Sequence, residues 1–189
     1  MNVLSAEDRK ILLDIARQSI SLAVNSRKLP SINLDDYSPS LQQWGASFVT
    51  LTKKEKLRGC VGTLEAYQPL VEDVREHAIA AAMNDYRFPP VGADEVSDLS
   101  IEISRLTSPV RVDYHDPLEL IQLLKPGVDG VLLRDGFQRA TFLPQVWEKL
   151  PDPDDFLSHL CLKMGSSANL WKRKQLDISI YQVEEFHEE

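Results

Sequence analysis

The sequence predicts an α+β fold, a mixed, largely antiparallel sheet with flanking helices. Three observations carry that expectation. Apolar residues recur at helical spacing in several well-capped segments, two segment pairs read as β-hairpins, and helices and strands do not alternate regularly as a doubly wound parallel sheet requires. A length of 189 residues suits one domain over 1–189, with room for two intimately packed subdomains.

Taken in order, Ser5 followed by Asp8 has the spacing of a helix N-cap, and Ile11, Leu12, Ile15, Leu22 and Ala23 form an apolar stripe. The expected helix runs from about Ala6 to Arg27, ahead of Leu29-Pro30. Ser31–Gln43 reads as a connection. Ala46–Thr52 and Leu57–Leu64 flank the polar turn Lys53–Lys56 as a hairpin. A second helix carries Pro69 in its first turn and Leu70, Val74, Ala78 and Ala81 on one face, and ends near Asn84, before Pro89-Pro90. Ser100–Leu106 and Val110–Tyr114 read as strands. Asp116-Pro117 opens a short helix to Lys125. Asp135-Gly136 joins Val131–Arg134 to Phe137–Phe142 in a hairpin for which a type I′ turn is expected. Asp152-Pro153 starts another helix, closed by Gly165. Ser166–Lys174 is read as a loop and Leu176–Phe186 as one final strand.

Composition narrows the class. Apolar residues at 43% and charged residues at 26% are those of a globular chain. A net charge of -8 disfavours non-specific contact with nucleic acid or anionic membrane. Two basic clusters, Lys53-Lys54-Glu55-Lys56 with Arg58 and Trp171–Lys174, are the ingredients of a nucleic-acid contact, but charged turns and solvated loops explain them equally. No apolar run reaches the roughly 18 residues of a membrane span. The start lacks the pattern of a secretory signal, so the cytoplasm, with reduced thiols, is the expected address. Cys60 and Cys161 are far apart and His77, His115, His159 and His187 are scattered, so no spacing asks for a metal.

Chemistry concentrates in Leu57-Arg58-Gly59-Cys60-Val61-Gly62, followed by Thr63. Glycines inside a strand weaken it and mark close approach by another backbone or by a ligand. Here Gly59 and Gly62 flank a thiol, and Arg58 is the nearest cation to stabilise a thiolate. The same spacing also describes a bulged strand with a buried, unreactive cysteine. His77 is a candidate base for a Cys-His pair, set against a core role. Asp85-Tyr86-Arg87-Phe88-Pro89-Pro90 presents Arg87 on a stiff backbone, either to a carboxylate-like anion or to Asp85 alone. Glu102, between Ile101 and Ile103, points opposite to them. On a core face it needs Arg58 or Arg87 as a partner, and on a wet face it needs none.

These motifs carry a resemblance. LRGCVG at Leu57–Gly62, DYRFPPV at Asp85–Val91, Glu102-Ile103-Ser104, Gly130–Leu133, ATFLPQVW at Ala140–Trp147 and PDPDDFLSHLCLK at Pro151–Lys163 occur in this order over roughly residues 10 to 186. Together they resemble the AMMECR family, called protein A of the AmmeMemoRadiSam system in many prokaryotes. Val61 stands where isoleucine is expected and Tyr86 where proline is usual, and His77 lies outside the motif. The resemblance implies two α+β lobes around a cleft lined by the LRGC segment. It brings no reaction and no cofactor. The system name implies co-occurrence with a Memo-like protein and a radical-SAM enzyme.

The leading expectation is therefore a small-molecule or peptide cleft in which Cys60 is a nucleophile or covalent carrier. Arg58 stabilises its thiolate, Glu102 fixes an arginine or accepts a proton, and Arg87 and Asp85, with Gly59, Gly62 and Thr63, bind a small anionic ligand. The alternatives are a non-catalytic binding or assembly module and, less favoured by the acidic balance, a nucleic-acid-associated regulator.

Overall fold

The computed structural model describes residues 3–188. The chain divides into two compact units, one formed by residues up to Ser108 together with those from Glu184 onward, the other by Pro109–Val183. Both mix helices with strands, and every strand pair of known register is antiparallel.

In the first unit, α1 (Ala6–Val24) begins where Ser5 Oγ accepts the Asp8 amide at 3.0 Å. Leu12, Ala16 and Ile20, spaced by four, are fully buried. The helix stops at Val24, ahead of the expected Arg27, because Ser26 adopts a left-handed backbone (φ 52°). The stretch read as a connection holds a 3-10 turn at Leu34–Asp36 and a short α2 (Pro39–Gln42) that buries Leu41. The hairpin follows as β1 (Trp44–Lys53) and β2 (Lys56–Gly62), joined by Lys54 and Glu55, both at positive φ. After β3 (Gln68–Pro69) comes α3 (Leu70–Met83), with Pro69 at its N-cap and Val71, Val74, Ala78 and Ala81 buried. β4 (Leu99–Leu106) and the last strand of the chain, β9 (Val183–His187), complete a sheet of order β2-β1-β4-β9, with β3 paired to β1. Glu184 anchors β9 by accepting the Leu4 amide at 3.1 Å and pairing with Arg9 and Arg105 at 2.8 and 3.2 Å.

The second unit has sheet order β5-β8-β6-β7, from β5 (Val110–Arg111), β6 (Gly130–Asp135), β7 (Gln138–Phe142) and β8 (Asp177–Tyr181). Its helices are α4 (Pro117–Leu123), α5 (Pro153–Lys163) and α6 (Leu170–Arg173), the last within a stretch expected to be loop. Asp152 Oδ1 caps α5 by accepting two amides. The helix ends in a Schellman motif, the Ser166 amide bonding Cys161 O and the Gly165 amide Leu162 O. Trp147 stacks on Phe156 with centroids 3.7 Å apart, in a core that also buries Leu160, Cys161 and Trp171.

Two further expectations are corrected. Asp135 pairs with Gln138, so the β6–β7 turn centres on Gly136-Phe137 and has positive φ at Gly136 alone, the II′ pattern rather than I′. The single final strand is two strands, parted at Gln182 and paired into different sheets.

Candidate functional site

The LRGCVG segment is β2, the edge strand of the first unit's sheet. Val49 and Leu51 of β1 and Ile101 and Ile103 of β4 are fully buried in the core under α1 and α3. Side chains alternate along a strand, so Thr50, Cys60 and Glu102 share the other face. Register aligns them in one row, because Thr50 opposes Cys60 on one side and Glu102 on the other. Thr50 Oγ1 donates to Cys60 Sγ at 3.4 Å. Two inter-strand spacings, roughly 10 Å, separate Cys60 from Glu102.

The backbone of Cys60 is clamped. Its amide donates to Asp85 Oδ2 at 2.9 Å, and its carbonyl accepts from Arg87 Nη2 at 3.0 Å. Asp85 is buried and also accepts from the Arg87 amide, Nε and Nη2, the last at 2.7 Å. Hydrogen bonds from Arg87, then the Cys60 amide, hold the Asp85 carboxyl well below the usual carboxylate range against the opposing effect of burial. Bonding to Asp85 raises Arg87 above the ordinary guanidinium value, against the opposing effect of burial. The Arg87 side chain is 42% exposed. Arg87 thus makes the turn pair with Asp85, and its partly exposed guanidinium also reaches the Cys60 carbonyl.

Arg58 takes a different part from the one expected. The β1–β2 register shifts between Leu51, opposite Gly59, and Thr52, opposite Leu57. This leaves Arg58 as the extra residue of a bulge, and bulges re-aim side chains. Its guanidinium bonds Glu95 at 2.9 Å and the carbonyls of Pro89 and Pro90 at 2.9 and 3.3 Å. Arg58 thus braces the loop that carries Arg87. Glu95 is lowered to about 2, first by Arg58 and then by the Gly92 amide and Lys53. With both arginines so engaged, Glu102 is half-buried and bonded to neither.

The two glycines admit the chain itself. A Cβ on Gly59 would stand 2.1 Å from Ala81 O of α3, and one on Gly62 would stand 2.4 Å from Phe48 Cγ. Gly59 faces α3, opposite to the thiol. Thr63 closes the strand, its amide bonding Ser47 O at 3.0 Å and its hydroxyl the Glu65 backbone. His77 belongs to another cluster. Its Nδ1 lies 3.1 Å from Asp73 Oδ2, which also accepts from Ser47 Oγ at 2.6 Å, and its Nε2 faces Tyr67 OH at 3.5 Å. Both ring nitrogens are thereby occupied away from Cys60.

The remaining candidates resolve readily. Cys161 is fully buried, which pushes its thiol up. Trp171 is buried too, so it cannot stack on a base, and Lys172 and Lys174 pair with Asp154 and Asp135. No group of three metal-ligating side chains occurs among the described residues, and no helix there is long and apolar enough to cross a membrane. Sequence reasoning missed Thr50 and Glu95. Thr50 is an unremarked β-strand threonine until register sets it against Cys60, and Glu95 lies outside every motif.

Comparison with known proteins gives a consistent result. A protein of Methanothermobacter thermautotrophicus is 35% identical over 188 residues, covering 98% of this chain and 97% of its own. One from Sulfolobus acidocaldarius is 38% identical over 185 residues, covering 94% and 80%. The crystal structure of the uncharacterized protein PH0010 from Pyrococcus horikoshii superimposes with a TM-score of 0.88 at 31% identity, covering 98% of this chain and 94% of that one. A sequence model of the AMMECR1 family matches residues 13–186, and the chain belongs to that family.

Proposed function

We propose that the protein binds a small anionic ligand on the outer face of the first unit's sheet, with Cys60 as its nucleophile or covalent carrier. The observation that carries this reading is the clamp. A single edge-strand residue has its amide held by Asp85 and its carbonyl by Arg87, while Thr50 touches its thiol. The clamp satisfies the outward-facing backbone of an edge strand and at the same time fixes the residue that carries the thiol. In this reading Arg87 orients the anion, Arg58 braces Arg87's loop, and Glu102 accepts a proton at the far end of the row. Gly59 and Gly62 set the strand's position, and Thr63 closes it. The protein acts in the cytoplasm, where the thiol stays reduced.

Alkylation tests the ligand class. In a Cys161→Ala background, anionic iodoacetate should modify Cys60 faster relative to neutral iodoacetamide than it modifies free cysteine. Arg87→Gln should return the ratio to that of free cysteine. An unperturbed ratio in the parent protein would remove the anion from the proposal.

One feature favours a second reading, a non-catalytic docking face. Tyr86 is 96% exposed beside Arg87, and aromatic residues next to arginine are common anchors of protein interfaces. The partners would be the Memo-like protein and the radical-SAM enzyme implied by the family's system. Co-elution with either on size exclusion, abolished by Tyr86→Ala, supports this reading, and independent elution counts against it.

A further inference from the structure

A cavity of about 930 Å³ lies in the first unit where the end of α1, the segment around Pro30 and the outer face of α3 meet. Its wall is apolar at Leu22, Leu29 and Ile79, and charged at Lys28, Glu72, Arg75 and Glu76. It shares no lining residue with the Cys60 row.

The charged groups are disposed unusually. Elsewhere in this unit Arg9, Arg17, Arg58 and Arg87 each pair with a carboxylate. Arg75 has Glu72 three residues before it on the same helix, a spacing that favours pairing, and Glu76 next to it. It pairs with neither, and its Nη1 donates to the Pro30 carbonyl at 3.2 Å. That bond holds the Pro30 segment against α3. Glu76 Oε2 accepts from Gln68 Nε2 at 2.7 Å, so this carboxylate too is positioned by a neutral partner. Two cations and two carboxylates thus ring one cavity with no ion pair among them.

A ligand complementary to such a rim carries both charges and an apolar body. We propose that this cavity binds a short apolar peptide with free termini. The peptide's ammonium lies at Glu72 and Glu76, its carboxylate at Lys28 and Arg75, and its side chains on Leu22, Leu29 and Ile79. The volume falls in the range of small-ligand pockets and exceeds what a single amino acid fills. The inference is independent of the Cys60 site.

Isothermal titration with the dipeptides Ala-Ala, Leu-Leu and Phe-Phe tests it, using the full chain. At least one should bind saturably. N-acetylation of that peptide, or Glu72→Gln in the protein, should weaken binding about tenfold, the worth of one hydrogen bond to a charged group. C-terminal amidation, or Lys28→Gln, should do the same. The blocked peptides read the charge requirement without altering the protein, so the result stands even if a variant folds poorly. No saturable binding by any of the three overturns the proposal. So does binding that is indifferent to both terminal blocks, or to both substitutions in folded protein.

Discussion

Asp85 is the residue on which the Cys60 site turns. It is buried and accepts four hydrogen bonds from Cys60 and Arg87. Asparagine in its place loses the charge and offers only one acceptor oxygen. Asp85→Asn should therefore lower stability by about 2 kcal/mol, read as a lower urea midpoint at unchanged m-value. Glu102→Gln should leave that midpoint where it is, since Glu102 pairs with neither arginine, and should act only on ligand chemistry. A Glu102→Gln midpoint as low as that of Asp85→Asn would contradict the placement of these two carboxylates. Asp85 and Arg87 were legible as a pair from their spacing. Arg58's partner was not, because a bulge is a property of strand pairing and pairing is non-local.

At the scale of elements, the close contact of β2 with α3 depends on Gly59. A methyl group there meets the Ala81 carbonyl at 2.1 Å, and a helix backbone cannot swing aside as a long side chain can. Gly59→Ala should cost about 3 kcal/mol, at the upper end for overpacking, and urea denaturation measures it. Asp73 makes a second demand on α3. It is fully buried and serves both Ser47 and His77. Asp73→Ala strands two buried polar groups and should cost about 3 kcal/mol or more, against about 1 kcal/mol for Ser47→Ala. Equal costs would show that the cluster contributes through a single bond. Which elements could be read in advance follows from where their signals lie. Caps such as Ser5, Asp116 and Asp152 act within three residues, so helix starts were legible. The division at Gln182 was not, because β8 and β9 differ in the sheet they join and not in local pattern. The Thr50 row was likewise hidden, since strand alternation yields a face but only register yields a neighbour.

For the whole molecule, the acid limb of stability should trace to the first unit. Asp85 and Glu95 have carboxyls depressed in the folded state by their arginine partners. A depressed folded value means that their contribution is complete above the unfolded carboxylate value of about 4. It is lost as pH falls through the folded values, which for Glu95 means towards about 2. Melting temperature should fall on acidification below about pH 4, and Glu95→Gln should flatten part of that fall. An acid limb of equal slope in the variant would place the responsible groups elsewhere. The antiparallel strand pairs and capped helices of both units agree with the α+β class read from periodicity and turns. The most direct measurement is the alkylation rate of Cys60 by iodoacetamide in Cys161→Ala protein, native and then unfolded in urea. A nucleophilic role predicts that native Cys60, whose thiol is only half-buried, reacts at least as fast as the unfolded thiol. Reaction only after unfolding would make Cys60 part of the packing and contradict its role as nucleophile.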